Sequence, residues 1–93
     1  MNLIGNLTLI EGEFSVDEAK GILINIFSSK INYHHLKNWS SQERFGKYDI
    51  TAQKRIPALI IEMKKLEDIL SQYKHINNKL VVKSEISISM YED

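Results

Sequence analysis

The chain has 93 residues, 43% hydrophobic and 26% charged, with 12 basic residues balancing 12 acidic ones. That composition belongs to a folded domain rather than a disordered chain, and a net charge of zero argues against a general DNA or RNA binder, whose affinity rests on a broad basic face. The lack of cysteine excludes disulfides and thiolate metal sites. With no signal-peptide pattern and no run of ~20 apolar residues, the expectation is one cytoplasmic domain over residues 1–93 that makes no membrane contact.

The first element is "NLTLIEGEF", Asn6 to Phe14, whose branched residues and partial alternation predict a strand. Ser15 stands three residues before Glu18, the spacing of a capping box, in which each side chain satisfies the other's free backbone N–H. A helix starts there, with Val16, Ala19, Leu23, Phe27 and Ile31 along one face. Gly21 inside it costs about 1 kcal/mol relative to alanine and marks either a close backbone approach or nothing. In the second helix Ile56, Leu59, Ile60, Met63, Leu66, Leu70 and Tyr73 form an apolar stripe opposite Glu62, Lys64, Lys65, Glu67 and Asp68. Pro57 fits its first turn, where the missing N–H is harmless; alternatively the helix begins near Ile50, capped by Asp49, and kinks at Pro57. After Asn77-Asn78 the segment "KLVVKSEISISMY" alternates, with Leu80, Val82, Ile86, Ile88 and Met90 on one side, and predicts a half-buried strand.

The predicted fold class is therefore α+β, strand–helix–helix–strand, a long helical hairpin packed on a small antiparallel sheet formed by the terminal strands. A two-stranded sheet is marginal alone and leaves both edges open, so a homo-oligomer is expected.

The stretch from Ser29 to Asp49, "SKINYHHLKNWSSQERFGKYD", is polar where the rest is packed. Residues 30–55 carry six basic side chains against Glu43 and Asp49, leaving the remainder of the chain acidic. A confined positive region suits a small anion better than a polymer, although such clusters are often plain surface. From Gly21 to Ser29 the first helix has no charge at all, and Asn25, Ser28, Asn32, His35, Trp39 and Gln42 recur at helical spacing. A neutral hydrogen-bonding face of this kind belongs to an interface or a pocket. Ser40 to Glu43 repeats the capping-box spacing and predicts a new turn after Asn38, ended by Gly46. The free N–H groups of that turn would favour phosphate or carboxylate. The candidate ligand residues are Arg44, Lys47 and Lys37 for the anion, Trp39 and Phe45 for a ring, and His35, Asn38 and Gln42 for polar edges, with Tyr33 and Tyr48 as further flat faces.

Catalysis and metal binding find no such support. His34 and His35 are adjacent and diverge by ~100° on a helix, so they cannot chelate one ion. No Walker, G-x-G-x-x-G or G-x-S-x-G pattern occurs. Ser40 or Ser41 could meet a histidine, but capping explains them more simply, and His75 receives no role. The chain is read as a non-enzyme without cofactor or metal.

The run "SKINYHHLKNWSSQERFGK", with "KRIP" at Lys54 to Pro57, resembles a family of small proteins of bacteria and bacteriophages to which no activity is attached. The resemblance covers about the middle half of the chain and implies a self-contained domain, without a mechanism. In size and in lack of catalytic motifs the chain is also similar to virus-encoded oligomers that sequester nucleotide immune signals. The expected function is a non-catalytic homo-oligomeric binder of a phosphate-bearing, nucleotide-like small molecule. The competing expectation is a protein-interaction module, a small regulator or inhibitor docking by its helix face or strand edge.

Overall fold

A computed structural model describes residues 2–91. Strand β1 (Asn2–Phe14) leads into helix α1 (Val16–Phe45), a short turn, helix α2 (Ile50–Ser71) and strand β2 (Leu80–Met90). The strands pair antiparallel, from Asn2 opposite Met90 to Phe14 opposite Leu80. The expected strand–helix–helix–strand order and its terminal sheet are thus present.

The start of α1 follows its sequence signal closely. Ser15 Oγ accepts a hydrogen bond from the Glu18 N–H at 3.1 Å, and Glu18 Oε1 accepts one from the Ser15 N–H at 2.9 Å. The donated Ser15 N–H and hydroxyl hold the Glu18 carboxyl below its ordinary value. The helix then runs unbroken to Phe45, about 45 Å, and stops at Gly46, which takes φ +65° and donates its N–H to the Gln42 carbonyl at 2.9 Å. The new turn expected after Asn38 does not form. No glycine or proline lies between Lys37 and Phe45 to interrupt the backbone ladder, so Ser40 and Glu43 are ordinary helical positions.

Helix α2 begins at Ile50, behind an Asp49 cap whose Oδ1 accepts the Ala52 N–H at 2.8 Å. Pro57 is therefore interior and leaves the Gln53 carbonyl without its usual helical donor. The buried face of α2 is Ala52, Ile56, Leu59, Met63, Leu66 and Leu70, at steps of three and four. Two residues assigned to that stripe lie off it: Ile60 is exposed, about 100° round from Leu59, and Tyr73 is exposed beyond the helix end. On α1 the matching stripe is Ala19, Leu23, Phe27, Ile31, His34 and Asn38. Alanines at both ends of the crossing, Ala19 and Ala52, let the helices approach.

Strand β1 begins four residues earlier than its alternation suggested and carries two register shifts, with one extra residue at Ile4 and one at Leu9. Strand β2 pairs without interruption, so Leu80, Val82, Ser84, Ile86, Ile88 and Met90 share one face. Opposite them lie Phe14, Gly12 and Ile10, then, beyond the Leu9 shift, Leu7 and Gly5. A one-residue shift moves a strand's side chains to the other face, and here it keeps Leu7 on the apolar side where strict alternation would have put Thr8. The inner part of this face is covered, with Ile10 buried and Phe14, Leu80 and Val82 half-buried. The outer part is bare.

Candidate functional site

The candidate residues all fall on the second half of α1 or the turn after it. Because α1 is continuous, each residue's direction follows from ~100° per position. Lys37, Ser40, Ser41 and Arg44, at steps of three, one and three, occupy one flank. His35, Trp39 and Gln42 occupy the other, with Trp39 about 140° away from Arg44. The ring and the anion-binding groups expected to meet on one ligand are thus on opposite sides of the helix, and Trp39 is 62% exposed there.

Lys37, Ser40, Ser41, Arg44, Phe45 and Asp49 surround an open recess of about 290 Å³. Two cations, two hydroxyls and a ring line it, which is a workable set for a phosphate joined to a flat group. Phe45 is 71% exposed and supplies the ring face that Trp39 does not. The Asp49 carboxylate also borders the recess, but one of its oxygens is held by the Ala52 N–H. Lys47 stands in the exposed turn between the helices. Ser40 and Ser41, expected to cap a turn, instead belong to the recess, and the signal for that is their spacing with Lys37 and Arg44 on an unbroken helix.

Asn38 is occupied otherwise. Its Oδ1 accepts the Asp49 N–H at 2.8 Å in a part-buried setting, so it ties the end of α1 to the cap of α2. The anion cradle expected from free N–H groups near Ser40 is absent, since those groups lie inside the helix and the α2 N-terminus is closed by the Asp49 carboxylate.

Further along the same flank, the Lys30 ammonium lies 4.7 Å from the centre of the Tyr33 ring and that of Lys37 6.0 Å from it, both within cation–π range. Tyr33 also meets His34 edge to face, centroids 5.3 Å apart. His34 is 5% exposed, and neither of its ring nitrogens has a hydrogen-bond partner. Burial, with the nearby Lys30 and Arg55 charges adding to it, pushes this imidazole below its ordinary value. It is therefore a neutral core side chain at the helix crossing. His35, one residue on, is exposed on the opposite side from Lys37.

A second, larger depression of about 700 Å³ runs along α1 beside Ile22, Asn25, Ile26, Ser29, Lys30 and Tyr33. It is mostly apolar and wide open, which suits a protein surface better than an anion. Among the described residues no cluster of three or more metal-binding side chains occurs, and no helix is long and apolar enough to cross a membrane. Comparison with protein-family models, curated proteins and solved structures finds no match to this chain.

Proposed function

We propose that the chain is a non-catalytic, homo-oligomeric cytoplasmic protein that binds a phosphate-bearing, nucleotide-like small molecule. The observation that carries the reading is the recess at the hairpin end, where Lys37 and Arg44 stand two helical turns apart with Ser40, Ser41 and the exposed Phe45 ring around it. Arg44 and Lys37 hold the phosphate, the hydroxyls donate to its remaining oxygens, and Phe45 stacks on the base. His35, Trp39 and Gln42, on the far flank, reach the same ligand only if a neighbouring subunit presents them. In a bacteriophage or mobile-element setting such a protein sequesters a signalling nucleotide and so counters host defence, a task of tight binding without turnover.

Calorimetric titration with mono-, cyclic and dinucleotides tests the reading. Arg44→Ala removes a charge-assisted contact worth about 1.5–3 kcal/mol, so affinity falls roughly 10- to 100-fold. Absence of heat from every nucleotide at neutral pH overturns it. The apolar depression beside Ile22, Ile26 and Tyr33 favours a second reading, a protein-interaction module. Under that reading no nucleotide binds, Arg44→Ala changes nothing in the panel, and Ile26→Lys abolishes partner binding.

A further inference from the structure

The chain exposes more surface than a compact protein of its mass. Its accessible surface is 7550 Å², against about 5,500 Å² expected for a folded monomer of this mass. Its radius of gyration is 16.7 Å, where a compact chain of this length has about 12 Å. The excess, roughly 2,000 Å², lies in the range each subunit of a permanent homo-oligomer buries.

The outer half of the ribbon contributes to it, with Leu3, Ile4, Leu7, Leu9, Ile88 and Met90 all exposed. Residues 2–10 and 86–90 contain no charged side chain. On the face shared with the buried Ile10, Leu7 and Met90 are each 56% exposed, Ile88 44% and Ile86 39%. The Leu9 register shift disrupts the ladder locally, and its effect is to keep Leu7 in phase with an apolar surface that the described residues leave partly exposed. Among the described residues no third strand joins either edge of this ribbon, an arrangement that soluble proteins otherwise blunt with lysine, proline or a covering element.

We infer that the outer ribbon, Leu3–Leu9 with Ile86–Met90, is the contact between copies of this chain, packed through the face that carries Leu7, Ile86 and Ile88. The occupant is a second copy because the missing burial matches a subunit interface in area and because this surface offers no charge by which to select a different partner. The inference specifies how the homo-oligomer of the proposed function is built, and it stands or falls separately from the ligand.

The test uses the 93-residue chain in light scattering after size exclusion, beside the double variant Leu7→Lys/Ile88→Lys. Both positions are exposed in the single chain, so the lysines are compatible with its fold, and circular dichroism checks that the helices persist. The expected result is a wild-type mass that is a multiple of 10.8 kDa and a folded variant at 10.8 kDa. A monomeric wild type, or a variant that retains the oligomeric mass, overturns the inference. If the double variant does not fold, a single cysteine decides, since the chain has none of its own. Leu7→Cys then reacts with a maleimide at least tenfold more slowly at high than at very low protein concentration, and an equal rate at both overturns the inference. Nucleotide titration of the same samples reports on the ligand reading alone.

Discussion

The joint between the helices makes the sharpest stability prediction, because one side chain there has two competing interpretations. Asn38 accepts the Asp49 N–H, and the Asp49 carboxylate accepts the Ala52 N–H, both at 2.8 Å. Asn38→Ala leaves a part-buried N–H without its acceptor. A fully buried orphan costs about 1–3 kcal/mol; Asp49 is only half-buried, and water replaces part of the bond, so about 1 kcal/mol is expected. With a urea slope of about 1 kcal/mol per molar for a small domain, the midpoint falls by about 1 M. Asp49→Ala removes the cap for a further cost of about 1 kcal/mol. The double variant loses less than the sum, by about 0.5 kcal/mol, because the Asn38 bond fixes the backbone that aims the Asp49 carboxylate. Asn38→Asp keeps an acceptor oxygen and recovers part of the loss. The assay is urea unfolding followed by far-ultraviolet circular dichroism at one fixed protein concentration, since assembly would otherwise shift the midpoint. If Asn38→Ala unfolds within about 0.3 kcal/mol of wild type, or if the two variants are strictly additive, the coupled joint does not exist. Asn38 is then free to serve a ligand, as its sequence position suggested.

Two further perturbations test other parts of the hairpin. Gly46 sits at φ +65° with no atom within 4 Å of where a Cβ would be, so Gly46→Ala costs only the left-handed backbone term, about 1–2 kcal/mol; Gly46→Asn costs less, and thermal melts that rank the two the other way contradict the cap. His34 has a folded value below the 6.5 it would show unfolded, from burial first and then Lys30 and Arg55, with Asp49 opposing. Between the folded and unfolded values the unfolded chain binds more protons, so stability is complete above about pH 6.5 and declines as pH falls beneath it. His34→Leu removes that part of the pH dependence, and unfolding curves for both chains at pH 7 and pH 5 would show equal acid sensitivity if the assignment were wrong.

The elements governed by local chemistry were readable in the sequence. Ser15 and Glu18 are three apart and form the box their spacing implies, and Gly46 stops α1 because a left-handed residue is needed there. The same capping rule misled at Ser40 and Glu43, since S-x-x-E caps a helix only where the chain is already leaving helical geometry, and nothing between Lys37 and Phe45 makes it leave. The continuity of α1 moves the site. With a break after Asn38, Trp39 and Arg44 could have faced one ligand; on a straight helix they cannot, and Ser40 and Ser41 take the place between Lys37 and Arg44. Other features had no local signature. The Asn38 bond to Asp49 spans eleven residues, and the extra residues at Ile4 and Leu9 are fixed by pairing with a strand at the other end of the chain. The place of Pro57 within α2 is set by the Asp49 cap, which starts the helix at Ile50.

That pairing of the two ends has a consequence for the order of assembly. The innermost strand pair, Phe14 with Leu80, is already separated by the whole helical hairpin, and every other pair is farther apart in sequence. On a ribosome β1 is made first, yet it has no partner until both helices and all of β2 have emerged. The helical hairpin, whose contacts are more local, forms while the first strand waits, and closure of the ribbon is the late step. A strand whose residues 2–10 carry no charge thus stays unpaired until β2 has emerged, and it is during that wait, rather than in the finished fold, that the chain is most prone to pair with the wrong neighbour.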